Sequence, residues 1–144
     1  MKKLASIIIR TLNEEKYLFE LLDKVSRQSN QKYDFEIVVI DSGSTDKTLD
    51  IAKKFKSRIT YIDKKEFTFG RSLNRACEFA NGDFLIFISG HCIPINNNWI
   101  EEIVSPIDKG ICDYSYGKQV ARDTTKFSER QLFDKYFPDE SNIP

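Results

Sequence analysis

Short apolar runs alternate along this chain with amphipathic stretches, and each change of period marks a change of element. Residues 6–10 read as a first strand. Residues 17–28 read as a helix, because Leu18, Leu21, Leu22 and Val25 fall on one face at helical spacing. After a polar connection over residues 29–32, residues 36–40 read as a second strand. Ile37, Val38, Val39 and Ile40 follow one another without alternation, as in a strand covered on both faces. Ser44 or Thr45 is placed to cap a helix whose apolar face is Leu49, Ala52 and Phe55. Residues 59–62 form a short third strand, and residues 63–68 a charged and aromatic loop. Residues 69–80 read as a helix with Leu73, Ala76, Cys77 and Ala80 in phase, closed by Asn81 and Gly82. Residues 83–88 are a fourth strand, almost wholly apolar. Residues 99–104 make a short helix that Pro106 is expected to stop. One or two further strands are expected within residues 111–121, including Tyr114-Ser115-Tyr116. Residues 125–136 read as helical and the chain from Phe137 onward as irregular.

Strand and helix in strict alternation call for an α/β fold: a mainly parallel, Rossmann-like sheet with flanking helices and right-handed crossovers. The 144 residues suit one domain spanning the chain. Hydrophobic residues make up 40% and charged residues 31%, a globular composition. The 22 basic and 22 acidic residues cancel, which argues against a nucleic-acid binder working through a basic face. Cys77, Cys92 and Cys112 form neither a metal-type nor a secreted disulfide pattern, so they read as small buried hydrophobes in a reducing cytoplasm. The apolar run 4–9 after Met-Lys-Lys is too short for a signal peptide. No stretch approaches the roughly 20 apolar residues of a membrane span.

In a parallel sheet the polar residues at the strand ends lie along one edge, where open α/β sheets bind ligands. Those residues are Arg10-Thr11-Leu12-Asn13-Glu14, Asp41-Ser42-Gly43-Ser44 and Ser89-Gly90-His91. Gly70 and Arg71 join them at a helix start suited to a diphosphate. A carboxylate at Asp41 suits a base N–H or ribose hydroxyls, and a cation at Arg71 suits phosphates; together they describe a nucleotide pocket. Plainer roles are open to each: Asp41 in its own turn, Thr11, Asn13 and Glu14 as helix caps, Arg71 as a solvated helix residue, His91 as a loop residue.

Four blocks in order resemble the N-terminal part of a family 2 glycosyltransferase of the GT-A fold. They are Ser6-Ile7-Ile8-Ile9-Arg10-Thr11-Leu12-Asn13-Glu14-Glu15, Val38-Val39-Ile40-Asp41-Ser42-Gly43-Ser44-Thr45-Asp46, Phe69-Gly70-Arg71-Ser72-Leu73-Asn74-Arg75 and the block 80–88. The subgroup resembled is rhamnosyltransferase-like, and Tyr116-Gly117-Lys118-Gln119 with Phe127-Ser128-Glu129-Arg130 is similar to it as well. The resemblance implies a nucleotide-sugar donor bound by Thr11, Asn13, Glu14, Asp41, Ser42, Gly70, Arg71, Ser89 and Gly90. It implies inverting transfer to a glycan or lipid-linked acceptor in polysaccharide biosynthesis, by a protein in the cytoplasm or peripheral to the inner face of the membrane. Ser89-Gly90-His91 stands where the family has Asp-x-Asp, so Mn²⁺ or Mg²⁺ is the implied cofactor with His91 as its ligand. Without the aspartate, the expectation is weak metal binding or a diphosphate neutralised by Arg71 and backbone donors. The family's general base lies beyond this region and no residue here is nominated for it. The chain therefore reads as a donor-binding half lacking the acceptor half, with a sheet edge open to self-association. The alternative is a non-catalytic nucleotide-binding or interaction module. Asp41→Ala is expected to weaken nucleotide binding by about 1–3 kcal/mol and to leave the fold intact.

Overall fold

The computed structural model describes residues 1–29, 32–123 and 125–137. Its elements run β1 (Lys3–Thr11), α1 (Glu15–Ser26), β2 (Tyr33–Asp41), α2 (Thr48–Lys54), β3 (Arg58–Tyr61), α3 (Phe69–Phe79), β4 (Phe84–Ser89), α4 (Trp99–Asp108) and α5 (Phe127–Tyr136). The four strands form one parallel sheet in the order β3-β2-β1-β4. The α/β architecture expected from the alternation is present. Ser29 and Lys32 flank the expected polar connection, whose centre lies outside the described residues, as does the irregular stretch beyond Phe137.

Successive side chains of a strand point to opposite faces, so each strand feeds two cores. Ile7, Ile9, Ile37, Val39 and Ile86 face α1, α2 and α4, where Leu18, Leu21, Leu22, Val25, Ala52, Ile100 and Val104 close the larger core. Ile8, Val38 and Ile40 face the other way, against Ala76 and Leu73 of α3 and Ile62. This second face has one helix where the first has three. Helix α3 lies across β1 and β2 and leaves β4 bare on that side. Leu85 and Phe87 are consequently 42% and 51% exposed, although the fourth strand reads as apolar on both faces.

Glu36 interrupts the apolar run of β2, and the fold accounts for it. On the α3 face its carboxylate accepts from the Ser6 hydroxyl (2.6 Å), the Asn81 amide (2.7 Å) and Arg58 (3.0 Å). One carboxylate thus ties β1, β3 and the α3–β4 turn to the amino end of the sheet. Burial opposes its ionisation, but these donors outweigh it and hold its pKa below the ordinary value.

Three expectations need correction. Pro106 does not stop α4, which runs on to Asp108; the Lys109 and Gly110 amides bond to Ser105 and Ile107 carbonyls and carry the last turn past the missing donor. Residues 111–121 form no strand. Tyr114 and Tyr116 are exposed, and the segment is fastened by the Ser115 hydroxyl donating to the Ile103 carbonyl (2.6 Å). Helix α2 is capped by neither Ser44 nor Thr45, because it starts at Thr48, whose amide and hydroxyl both bond to Asp46. Helix α5 buries no residue and is tethered by Arg130 donating to the Arg122 carbonyl (2.8 Å).

Gly82 is where the turn into β4 passes closest to β1. A Cβ there would stand 2.6 Å from the Ser6 hydroxyl, 2.7 Å from the Ser6 nitrogen and 2.9 Å from the Leu4 carbonyl oxygen. Two of those atoms are backbone and cannot yield without breaking the sheet. Gly82→Ala is expected to destabilise the domain by about 2 kcal/mol, read from the midpoint of urea unfolding.

Candidate functional site

Parallel pairing sets Thr11 beside Asp41 and Arg10 beside Ser89 at the carboxyl edge of the sheet. Asp41 is 1% exposed. One of its oxygens accepts the Gly43 and Ser44 amides, each at 2.8 Å. The other accepts the Thr11 hydroxyl (2.8 Å) and the Ser44 hydroxyl (2.5 Å). These four donors fill the acceptor capacity of a carboxylate. Gly43 makes the turn possible, since its φ of 104° lies in the left-handed region. Burial works against the Asp41 charge, and the hydrogen bonds from Ser44, Thr11 and Gly43 overcome it, keeping the pKa below the usual aspartate value.

The loop after β1 is laced to the same turn. Asn13 has φ 55°, a conformation asparagine tolerates, and its amide donates to the Ser44 hydroxyl (2.8 Å). Its side-chain carbonyl accepts the Thr45 amide (2.9 Å). The Glu14 amide donates to the Thr48 hydroxyl (2.8 Å), and the Ser42 amide to the Thr11 carbonyl (3.1 Å). Asn13 and Glu14 therefore secure one loop to another rather than capping α1 with their side chains.

Glu14 also reaches the turn after β4. A Cβ on Gly90 would stand 3.0 Å from Glu14 Cγ and 3.2 Å from its Cδ. His91 is mostly exposed, and its Nδ1 lies 3.7 Å from Glu14 Oε1. Arg122 donates to the His91 carbonyl (3.1 Å) and lies over the Tyr17 ring at 5.1 Å. As a metal set these residues are poor. Ser89, at the first acidic position of the expected motif, brings no charge, His91 stands at the second acidic position, and a Cβ on Gly90 between them would crowd Glu14. One imidazole and one carboxylate do not fit Mg²⁺, which prefers an all-oxygen shell, and leave Mn²⁺ with two protein donors.

Helix α3 begins at the same edge. The Thr68 hydroxyl caps it by accepting the Arg71 amide (3.1 Å). Phe69, its first residue, lies under the Arg10 guanidinium at 4.3 Å from the ring centre. Gly70 and Arg71 are exposed, and a Cβ on Gly70 would meet nothing within 4 Å. Gly70 is thus not required by any protein contact. The strand parity places Thr11 and Asp41 on the α1 face of this edge, and Arg10 with α3 on the other. All the residues singled out in the sequence therefore come to one edge, divided between its two sides. A larger hollow of about 620 Å³ lies at the opposite, amino end, beside Lys3, Tyr33 and Asp108. There Asp108 is already held by Lys3 at 2.5 Å and by the Tyr33 hydroxyl at 2.9 Å.

Arg10, Asp46, Thr48 and Arg122 were not assigned roles by sequence reasoning. Arg10 gave a signal, a cation closing an apolar strand. Arg122 gave none, because its partners are a distant carbonyl and ring.

A parallel sheet of this order, with its strand-end loops gathered at one edge, is the nucleotide-binding half of the GT-A architecture. Residues 6–142 match the family described as Glycosyl transferase family 2, and the chain belongs to that family. Poly(ribitol-phosphate) β-N-acetylglucosaminyltransferase TarS of Staphylococcus aureus is 32% identical over 108 residues, covering 72% of this chain and 19% of that protein. The crystal structure of TarS residues 1–349 with UDP-GlcNAc aligns with TM-score 0.60 at 33% identity, over 76% of this chain and 32% of that one. Glucosyl-3-phosphoglycerate synthase of Mycobacterium tuberculosis, solved with Mn²⁺, UDP and glucosyl-3-phosphoglycerate, aligns with TM-score 0.62 at 26% identity, over 73% of this chain and 39% of that one. The chain spans about a fifth to two fifths of the length of these relatives. No helix among the described residues is long and apolar enough to cross a membrane.

The geometry alters the expectation for Asp41. Its carboxylate holds the turn, so removing it leaves buried donors unpaired. Asp41→Ala is expected to cost about 2–4 kcal/mol of folding stability, measured by urea unfolding. The pH dependence has a defined sign. A carboxylate with a depressed folded pKa stabilises fully above its unfolded value and loses that contribution as pH falls through the folded value. Asp41→Asn should therefore flatten the decline of stability below about pH 4.

Proposed function

We propose that this chain forms the donor-binding part of a glycosyltransferase that takes a nucleotide-activated sugar. The observation that carries the reading is the convergence at one edge of the Thr11–Asp41 turn, the Asn13–Glu14 loop, the Ser89-Gly90-His91 turn and the α3 start. Thr11, Asn13, Glu14, Asp41 and Ser42 border the base and ribose. Because Asp41 is saturated, its contact with a base requires one internal donor, such as the Ser44 hydroxyl, to turn away. Gly70, Arg71, Ser89 and Gly90 face the diphosphate, with the open space above Gly70 admitting it closely. In the complete enzyme the bound sugar is transferred with inversion to a hydroxyl of a glycan or lipid-linked acceptor, on a protein working in the cytoplasm or at the inner membrane face. The TarS complex with UDP-GlcNAc and the mycobacterial complex with UDP support this assignment. His91 is the residue here best placed to touch a divalent cation, with Glu14 beside it.

A second reading is a non-catalytic nucleotide-binding or interaction module. It is favoured by the absence of any acid in the Ser89-Gly90-His91 turn and by the internal saturation of Asp41. The exposed Leu85 and Phe87 on edge strand β4 support self-association in either case.

Calorimetric titration with UDP-, GDP- and dTDP-sugars tests both. We expect one of the three to bind in the micromolar to millimolar range, roughly −4 to −8 kcal/mol. No heat with any of them at millimolar ligand would remove the donor-site assignment. Binding without sugar transfer to any hydroxyl acceptor would leave the second reading standing.

A further inference from the structure

Arg10 is the next-to-last residue of β1 and lies on the α3 face, in register with Ser89 of β4. Its Nη1 is closed off from solvent and has no hydrogen-bond partner. Among the described residues it enters no ion pair. A guanidinium cannot shed its charge, so a desolvated nitrogen without a partner destabilises the free protein. The ring of Phe69 holds the group in place at 4.3 Å. A cleft of about 110 Å³ opens beside it, lined by Ile8, Leu73, Phe87 and Ile88 with only Arg10 and Ser89 polar. An apolar cleft with one cation and one hydroxyl suits a compact oxyanion, and low polarity around it strengthens the attraction.

We propose that Arg10 and Ser89 form an oxyanion niche for a phosphoryl group of the nucleotide diphosphate. Arg10 then supplies directly the positive charge that the carboxylate-free Ser89-Gly90-His91 turn is ill suited to recruit as a metal ion. Diphosphate binding by this chain is accordingly independent of divalent metal and dependent on Arg10. The inference rests on the donor-binding reading above, and adds to it the residue and the charge.

The test is titration of the whole chain with the nucleoside diphosphate of whichever sugar nucleotide binds best, in EDTA and then in Mn²⁺, beside thermal melts of the ligand-free protein. Wild type should bind in EDTA. Arg10→Met should weaken binding at least about tenfold. Its Tm should be unchanged or higher, because a cation without a partner has been replaced by an apolar side chain of similar length. Arg10→Lys should recover part of the affinity. Undiminished affinity in Arg10→Met, or binding by wild type only when Mn²⁺ is present, overturns the proposal. So does a lowered Tm in Arg10→Met, which would make the guanidinium a structural prop. Failure of wild type to bind any nucleotide in either buffer would instead remove the donor-binding reading itself.

Discussion

Everything at the functional edge depends on the register between β1 and β2. Nine residue pairs run from Lys3 opposite Tyr33 to Thr11 opposite Asp41. A slip of one residue would turn every side chain of β1 to the wrong face, sending Ile7 and Ile9 away from the larger core and Arg10 into it. The pairing is enforced at both ends by charge. At the amino end Glu36 accepts from Ser6, and at the carboxyl end Asp41 accepts from Thr11. Between them the strands are apolar and buried, with little in their own sequence to distinguish one register from the next. The two carboxylates do so, because each is buried enough that losing its donors would strand a charge.

The unequal covering of the sheet shapes what its edge can do. Three helices close one face, and there the Thr11–Asp41 turn is rigid and fully bonded. One helix covers the other face, and there Arg10, Leu73 and Phe87 stand around a cleft. Such a division separates a side that keeps its geometry from a side that has polar capacity left over. Ligand recognition needs both: fixed loops that set distances, and a charged group whose partner comes from outside the chain.

The alternation of apolar runs made the order of elements and the parallel sheet legible, and the polar strand ends made its functional edge legible too. The interior of the site was less so, for identifiable reasons. Asp41 at a strand end looks the same in sequence whether it faces a ligand or its own turn; only the positions of the Gly43 and Ser44 amides and the Thr11 and Ser44 hydroxyls decide how much acceptor capacity remains. Residues 111–121 carry strand-forming tyrosines, but the segment pairs with none of the four strands, and propensity alone does not hold a strand. Pro106 read as a stop because a helix normally loses a hydrogen bond there; amides beyond it carry the last turn onward. Exposure of Phe87 could not be seen because it depends on where α3 lies, which is set by Leu73 and Ala76 against Ile8, Val38 and Ile40.

Gly90 and Glu14 explain each other. A Cβ at position 90 would press on Glu14 Cγ at 3.0 Å and Cδ at 3.2 Å, so any larger residue there would have to push the Glu14 side chain aside. With serine and histidine at positions 89 and 91, the edge lacks the paired acids that recruit a metal: Asp41 is held by four donors, and Glu14 stands 3.7 Å from His91. The cation at Arg10 is left with an unpaired nitrogen. Since a guanidinium nitrogen shut off from solvent without a partner is costly, an anion arriving with the ligand would supply the partner that the chain itself does not.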